Sequence, residues 1–372
     1  MWLAEARLAD KVLDNVERMS RSDDVFHVAI MPDVHLGRSI NNGSVAATHD
    51  LIYPQAVGSD IGCGLSAIAF ESRVEFLEDE RQAQLILREL YQRVPALMQR
   101  GERVLPEKLA SHTLSHESLL KNSRRDGAYQ LGTMGCGNHF TELQRDDAGT
   151  LWCMIHSGSR AMGQIITEFH LARASISVTG LKYLDTRLAV GRAYLNDVQW
   201  ATQYATLNRL AIMARVAEIL EEHFKIKADE GSYIDSPHNY VRRENHFGKE
   251  LLVHRKSAIS ARLGEQGLIA GSMGTPSFIV RGLGVEASLC SSSHGAGRVL
   301  SRTAARSRIT SGAMQDQLGK VHFERRNLHS LRDEAPAAYR DIREVMRAQR
   351  ELTRQEARLS PILNFKYPDK RP

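Results

Sequence analysis

Histidine, glycine and arginine are concentrated in one stretch of the chain, from His238 to Arg308. Histidines recur at His238, His246, His254 and His294, and small residues at Gly271, Ser272, Gly274, Ser277, Gly295 and Gly297. Glycine lets a backbone come close to a ligand, and successive N–H groups then hold an anion. Arginine adds forked donors that match phosphate. Arg255, Lys256, Arg262, Arg281, Arg298, Arg302, Arg306 and Arg308 supply eight cations between His254 and Arg308, against Glu265 and Glu286 alone. Such a composition suits a nucleotide or phosphate site. Gly/Ser turns with scattered arginine also occur on ordinary surfaces, and a GxG by itself does not separate the two.

Other candidates lie upstream. Asp60 and Cys63 sit in the glycine-rich turn DIGCG, ahead of an apolar strand predicted over Leu65–Phe70. Their carboxylate and thiolate can reach one ion; the alternative is that Cys63 is a small buried residue, the usual fate of a lone cysteine. LWCMIHSGSR (151–160) predicts a strand that delivers His156 at its end, a placement suited to a metal ligand. His139, in LGTMGCGNHFTEL (131–143), has as its ordinary reading a histidine satisfied within the fold. Asp33 and His35, in the turn-rich MPDVHLGRS, read as residues that fix a loop or support a site, and His170 as structural. A histidine outside a ligand set can attack phosphorus. His294, between Ser293 and Gly295 and ahead of Arg298, has suitable flanks; its bland alternative is a loop histidine bonded to backbone.

These blocks resemble the RtcB family, GTP-dependent RNA ligases that join 3′-phosphate to 5′-hydroxyl RNA ends. The resemblance is carried by SSSHGAGR (291–298), GSMGT (271–275), VHRKSAISA (253–261), HNYVRREN (238–245), DIGCG (60–64), LGTMGCGNHFTEL, DEAPAAYRDIREVMRAQ (333–349) and SPILNFK (360–366). It runs from about Met31 to Lys366, nearly the whole chain. It implies that Asp60, Cys63, His139, His156 and His238 hold two Mn²⁺ ions, with Cys63 able to bridge. Mixed N/O/S ligation favours a transition ion over Mg²⁺, and ligand type alone would also suit Zn²⁺. It implies that His294 attacks the α-phosphorus of GTP, that the GMP passes to an RNA 3′-phosphate opened from a 2′,3′-cyclic phosphate, and that the 5′-hydroxyl then displaces GMP. GMP contacts would fall on Asn138, His139, Phe140, Thr141, Glu142, His238, Asn239, Ala270, Gly271, Ser272, Met273, Ser277, His294, Gly295, Ala296, Gly297 and Lys366, with Tyr339 as a stacking partner for the base. The sequence departs from the family pattern at Cys136 and Tyr367, where glycine is usual, and at Ala270, where proline is common. If the backbone at Cys136 needed a positive φ, cysteine there would be strained. The implied partners are RNA with such ends and an archease-like activator. Two other classes share the residues: a dinuclear metal phosphoesterase without GTP, and a non-catalytic RNA-binding paralogue. The intact His294 and Lys366 argue against both.

Candidates spread from Asp60 to Lys366 can form one site only if the chain folds as an interwoven unit. The 372 residues, which length alone would divide into about two domains, are therefore expected to form one catalytic domain over 1–372, with 99–127 as a peripheral excursion. Helical spacing of Leu3, Leu8, Val12 and Val16 predicts a helix over 3–19, and Val25–Met31 predicts a buried strand that Pro32 ends. A charged helix follows over 78–98, a short one in LPEKL, another from Met162, and a long one over 188–224, whose Asn208 and Arg209 would orient the site. Without a regular βαβ alternation the fold class is α+β, with mixed sheets around a central cleft. A composition of 42% hydrophobic and 25% charged residues is that of a globular chain with a sizeable core. No stretch is long and apolar enough to span a bilayer, and the acidic N-terminal segment does not read as a signal peptide. Cys63, Cys136, Cys153 and Cys290 form no CxxC or disulfide-like spacing, which points to a reducing cytoplasm. The net charge of +5 is mild and names no partner by itself.

Overall fold

The computed structural model describes residues 1–3 and 8–369. Two antiparallel sheets dominate. Their strands are, in chain order, β1 (Val25–His35), β2 (Asn42–Thr48), β3 (Gly64–Arg73), β4 (Phe140–Arg145), β5 (Thr150–Ser157), β6 (Ala228–Pro237), β7 (Asn239–His246), β8 (Lys249–Lys256), β9 (Gln266–Ile269), β10 (Ser277–Gly282) and β11 (Thr353–Phe365). The larger sheet has seven strands in the order β9-β10-β11-β4-β5-β3-β6, and the smaller four in the order β1-β2-β8-β7. Four helices matter to the packing: α1 (Asp10–Ser20), α2 (Glu80–Arg93), α3 (Arg160–Leu171) and α4 (Ala189–Phe224). Antiparallel sheets with helices against them make the fold α+β. No helix of the described residues is long and apolar enough to cross a membrane.

Strand alternation decides where the core lies and where the chemistry lies. Successive side chains point to opposite faces of a sheet. Leu143 of β4, Cys153 and Ile155 of β5, and Leu363 and Phe365 of β11 face one way and are fully buried with Leu90 of α2 and Ile212, Val216 and Ile219 of α4. Their neighbours Glu142, His156 and Asn364 fall on the opposite face. That face carries a smaller apolar cluster, Leu65, Met154, Leu268, Ile279 and Leu359, and beside it a polar cavity. At about 25 cal/mol per Å² of apolar surface, the helix-covered face is the larger source of stability.

Two local expectations change. β1 continues through Pro32 to His35. It is an outer strand, paired only with β2, with an irregular register between Ile30 and His35. A proline there removes no ladder hydrogen bond. The first helix is shorter than 3–19: it spans Asp10–Ser20, with Leu3 and Leu8 outside it, and residues 4–7 lie outside the described residues. The segment 99–127 holds short helices at Glu107–Ala110 and Glu117–Asn122. Its Leu109, Leu114 and Leu119 are buried with Trp200 and Tyr204 of α4.

Candidate active site

Four segment ends converge at one edge of the cavity. The turn before β3 brings Asp60 and Cys63, the approach to β4 brings His139, the end of β5 brings His156, and the β6–β7 junction brings His238. Cys63 Sγ lies 3.5 Å from His139 Nε2 and 3.3 Å from His156 Nε2. His156 Nε2 lies 3.3 Å from His238 Nε2, and His139 Nε2 3.0 Å from Asp60 Oδ2. The five residues thus form a continuous chain of donor atoms, Asp60 at one end and His238 at the other. Arg209, fully buried, ties the cluster together by donating to Gly62 O (2.9 Å) and Ser157 O (3.0 Å). Asn208 donates to Ser157 Oγ at 3.0 Å. At Gly158 a Cβ would sit 2.3 Å from Asp60 Oδ1, so the chain leaves β5 over that carboxylate only as glycine.

The donor set is suited to a cation. His139 Nδ1 lies 3.1 Å from Met134 O, and His156 Nδ1 3.1 Å from Asn138 O. A carbonyl only accepts, so His156 Nδ1 carries the proton and its Nε2 turns a lone pair toward Cys63, the backbone-anchored tautomer that metal-bound histidines adopt. His139 Nε2 donates to the Asp60 carboxylate instead. Burial and the neighbouring imidazoles hold His156 and His238 well below the usual histidine range, so neither needs to lose a proton to bind. Burial, with Asp60 adding to it, pushes the Cys63 thiol well above its ordinary value; a bound cation reverses that preference. Burial also raises the Asp60 carboxyl, but the His139 hydrogen bond and Arg160 outweigh it and bring it down to about 2. The donor atoms of Cys63, His139 and His156 all lie within 4.8 Å of one another. Sulfur and imidazole together select a transition ion.

His294 stands beside this cluster, its ring 4.7 Å from that of His238. Its Nδ1 donates to Asp33 Oδ2 at 2.7 Å, and the same oxygen accepts the backbone N–H groups of His294 (3.2 Å) and Gly295 (3.3 Å). Asp33 is fully buried. The carboxylate fixes the ring, and the proton on Nδ1 leaves the lone pair on Nε2. Gly297 follows at φ +70°, and a Cβ there would meet Asp33 O at 2.3 Å, so close approach of this loop to Asp33 requires glycine.

A cavity of about 250 Å³ opens in front of His294. Its lining includes Asn138, Phe140, Glu142, His238, Ala270, Gly271, Ser272, Met273, Ser277, His294, Gly295, Ala296, Gly297 and Lys366, together with His35, Asn42, Tyr339 and Asn364. Lys366, buried on the β11 side, is ion-paired with Glu334. Burial raises the Glu334 carboxyl, but Lys366, Arg302 and Arg298 together bring it down to about 2. Tyr339 donates to Glu334 at 3.0 Å, and Arg298 lies 4.8 Å from the centre of the Tyr339 ring. Burial raises Glu142 to about 7 against the hydrogen bonds from Gln144 and Asn364.

Three of the expected nucleotide-contact residues, His139, Thr141 and Asn239, lie outside the cavity lining. Thr141 is fully buried and its strand neighbours Phe140 and Glu142 take the cavity face. Asn239 spends its amide on Asp60 O (3.1 Å) and Ser257 N (2.8 Å), which braces the cluster instead. His139 is in the cluster. The departures at Cys136, Ala270 and Tyr367 are accommodated. The positive φ values fall on Gly135 and Gly137, and Cys136 is not among the residues with φ above zero. Ala270 donates its N–H to His294 O at 3.0 Å, a bond proline would lack. Tyr367 donates to Val94 O at 3.1 Å and packs edge-on to Tyr91. The run of eight cations is not a free basic patch: Arg255 and Arg262 pair with Glu244, Arg281 with Glu356, Arg298 and Arg302 with Glu334, and Arg306 with Asp333. Most of those acids lie outside the stretch, so counting charge along the sequence overstated it. Glu334 and Asn364 were not singled out from the sequence. For Asn364 the signal was present: it stands two residues before Lys366 on a strand, hence on the same face.

A family model described as tRNA-splicing ligase RtcB matches residues 15–118 and 106–367. An RNA-splicing ligase RtcB of Escherichia coli is 39% identical over 362 residues, covering 88% of this chain and 86% of that protein. The RNA-splicing ligase RtcB of Mycobacterium tuberculosis is 28% identical, covering 89% of this chain and 95% of its own length. A tRNA-splicing ligase RtcB of Thermococcus kodakarensis is 27% identical, covering 97% and 92%.

Proposed function

The chain belongs to the RtcB family, and from that premise we propose that it is a GTP- and Mn²⁺-dependent ligase joining RNA 2′,3′-cyclic phosphate or 3′-phosphate ends to 5′-hydroxyl ends, in RNA splicing or in repair of cleaved RNA. The observation that carries this is His294, its Nδ1 held by Asp33 and its ring against His238, between the metal-type cluster and the polar cavity. His294 Nε2 attacks the α-phosphorus of GTP; the bond to the β-phosphate oxygen breaks and pyrophosphate leaves. The proton on Nδ1 stays toward Asp33, whose carboxylate offsets the charge on the ring. Water opens a cyclic phosphate end to a 3′-phosphate. An oxygen of that phosphate attacks the α-phosphorus and the P–N bond breaks, restoring His294. The 5′-hydroxyl of the second end then attacks the activated 3′-phosphorus, losing its proton as GMP departs. Asp60, Cys63, His139, His156 and His238 would hold the two metal ions, which supply charge to stabilise phosphoryl oxygens. We place these steps in a single catalytic domain. The free thiols Cys63, Cys153 and Cys290 fit a reducing cytoplasm, and an archease-like activator belongs to the same reading. Incubation with α-labelled GTP and Mn²⁺ tests it. Covalent labelling is the expected result; RNA phosphate cleavage with no label would instead mark a phosphoesterase.

Lys366→Ala should weaken nucleotide use while leaving metal content unchanged. The ammonium is buried at the cavity wall, and a hydrogen bond from a charged group is worth about 1.5–3 kcal/mol, roughly ten- to 150-fold. Equilibrium binding of GTP to wild type and variant measures it. Unchanged affinity would mean that Lys366 serves only its pair with Glu334.

A further inference from the structure

We infer that Tyr91, on the helix-covered side of the larger sheet, is a positioning residue for Lys366, and that nucleotide affinity depends on its hydroxyl. This rests on the cavity taking GTP with the help of Lys366, as proposed above.

The need for such a residue follows from where the strand ends. β11 stops at Phe365, and the last register pair of its ladder with β4 is Phe365 with Thr141. Lys366 stands one residue beyond that pair. Its side chain is buried in the cavity wall and ion-paired with Glu334, and its Nζ lies 5.9 Å from the centre of the Phe140 ring. A four-carbon stem on a backbone outside the ladder places its ammonium loosely unless something else holds it. A binding group has to be held to within about 0.5 Å to act.

The hold comes from the opposite face of the sheet. Tyr91, in the last turn of α2, donates its O–H to Lys366 O at 3.0 Å. Asn327 Nδ2 donates to the same phenolic oxygen at 3.0 Å, which leaves the Tyr91 proton to Lys366. The ring is fixed as well. It stands edge-on to Phe365, with centres 4.8 Å apart, and to Tyr367, at 5.2 Å. It therefore touches the residues on either side of Lys366. Tyr367 in turn donates to Val94 O, at the end of the same helix, at 3.1 Å. The lysine's carbonyl and both its chain neighbours are thus tied to one helix end. A glycine at position 367 could make neither of the Tyr367 contacts, so this anchorage is built from side chains particular to this chain.

Tyr91→Phe keeps the ring and removes only the hydroxyl. Equilibrium binding of GTP to the full chain at fixed Mn²⁺ should weaken roughly fivefold, within the range of one net hydrogen bond. The rate of covalent labelling at saturating GTP and the metal content should stay at the wild-type level. Added to Lys366→Ala, Tyr91→Phe should cause no further loss, because the hydroxyl acts only through the ammonium. Tyr53→Phe is the control. It removes a like bond, from a buried tyrosine to Asp23 O at 2.6 Å, outside the cavity lining, and should leave GTP affinity unchanged. Unchanged affinity in Tyr91→Phe overturns the inference. So does a fivefold loss that persists on top of Lys366→Ala, or an equal loss in Tyr53→Phe, since either marks a general effect on the fold. If Lys366→Ala weakens GTP binding and Tyr91→Phe does not, only the role of Tyr91 fails. If wild type binds no GTP at all, the ligase reading fails with it.

Discussion

The His294→Ala protein will take up no label from α-labelled GTP and will join no RNA ends, while retaining its metal content. In the proposed mechanism the nucleophile is Nε2 of His294, whose ring is held through Nδ1 by Asp33. Alanine removes the atom that would bond to phosphorus and leaves no neighbour placed to replace it, since His238 Nε2 is turned to His156. Loss of a covalent nucleophile costs on the order of 10⁴-fold or more. The five residues of the metal-type cluster do not include His294, so metal measured by mass spectrometry should be unchanged. The adduct of the proposed mechanism is a phosphoramidate, so the label should survive alkali and be released by acid. Peptide mapping should find it on His294. A label on lysine, or undiminished joining by the variant, would end the assignment.

Cys63→Ser should empty the metal site and abolish activity. Cys63 Sγ touches both His139 and His156, at 3.5 and 3.3 Å from their Nε2 atoms. A serine hydroxyl is a harder ligand that keeps its proton near neutral pH, and it does not reach as far as sulfur. The expected loss of affinity exceeds the roughly 10–100-fold seen when only a supporting hydrogen bond to a ligand is removed. Metal affinity of the wild type should also fall as pH falls. The thiol is driven well above its ordinary value in the metal-free protein by burial and by Asp60, so each binding event releases its proton, and acid opposes release. Elemental analysis after dialysis across a pH series measures both effects. Full occupancy and full activity in Cys63→Ser would remove the thiol from the site.

What the sequence revealed was mostly local. DIGCG and LWCMIHSGSR carry their chemistry at strand ends, where a glycine turn or a change from alternation to helical spacing is visible in a few residues. The fold class followed because strands and helices do not alternate. What stayed hidden depended on residues far apart. Pro32 reads as a stop, and only the outer position of β1 makes it harmless. The arginines around Arg298 read as a phosphate cradle, and only the fold brings Asp333 and Glu334 against them. Asp33 read as a residue that fixes a loop or supports a site, but that it holds His294, 261 positions away, was not visible. Whether Cys136 needed a positive φ could not be read from the sequence, and the turn places positive φ on the glycines either side of it.

The position of β11 bears on how the molecule assembles. This strand lies inside the larger sheet, between β10 and β4, and its Asn364 meets Glu142 across 222 residues of chain. Until it docks, β10 and β4 each present a row of unpaired N–H and C=O groups, the kind of edge that recruits strands from other molecules. Closing so long a loop before any reward from pairing is slow. Refolding from denaturant should accordingly lose yield as protein concentration rises, and the cavity wall formed by Asn364 and Lys366 should be among the last features to appear.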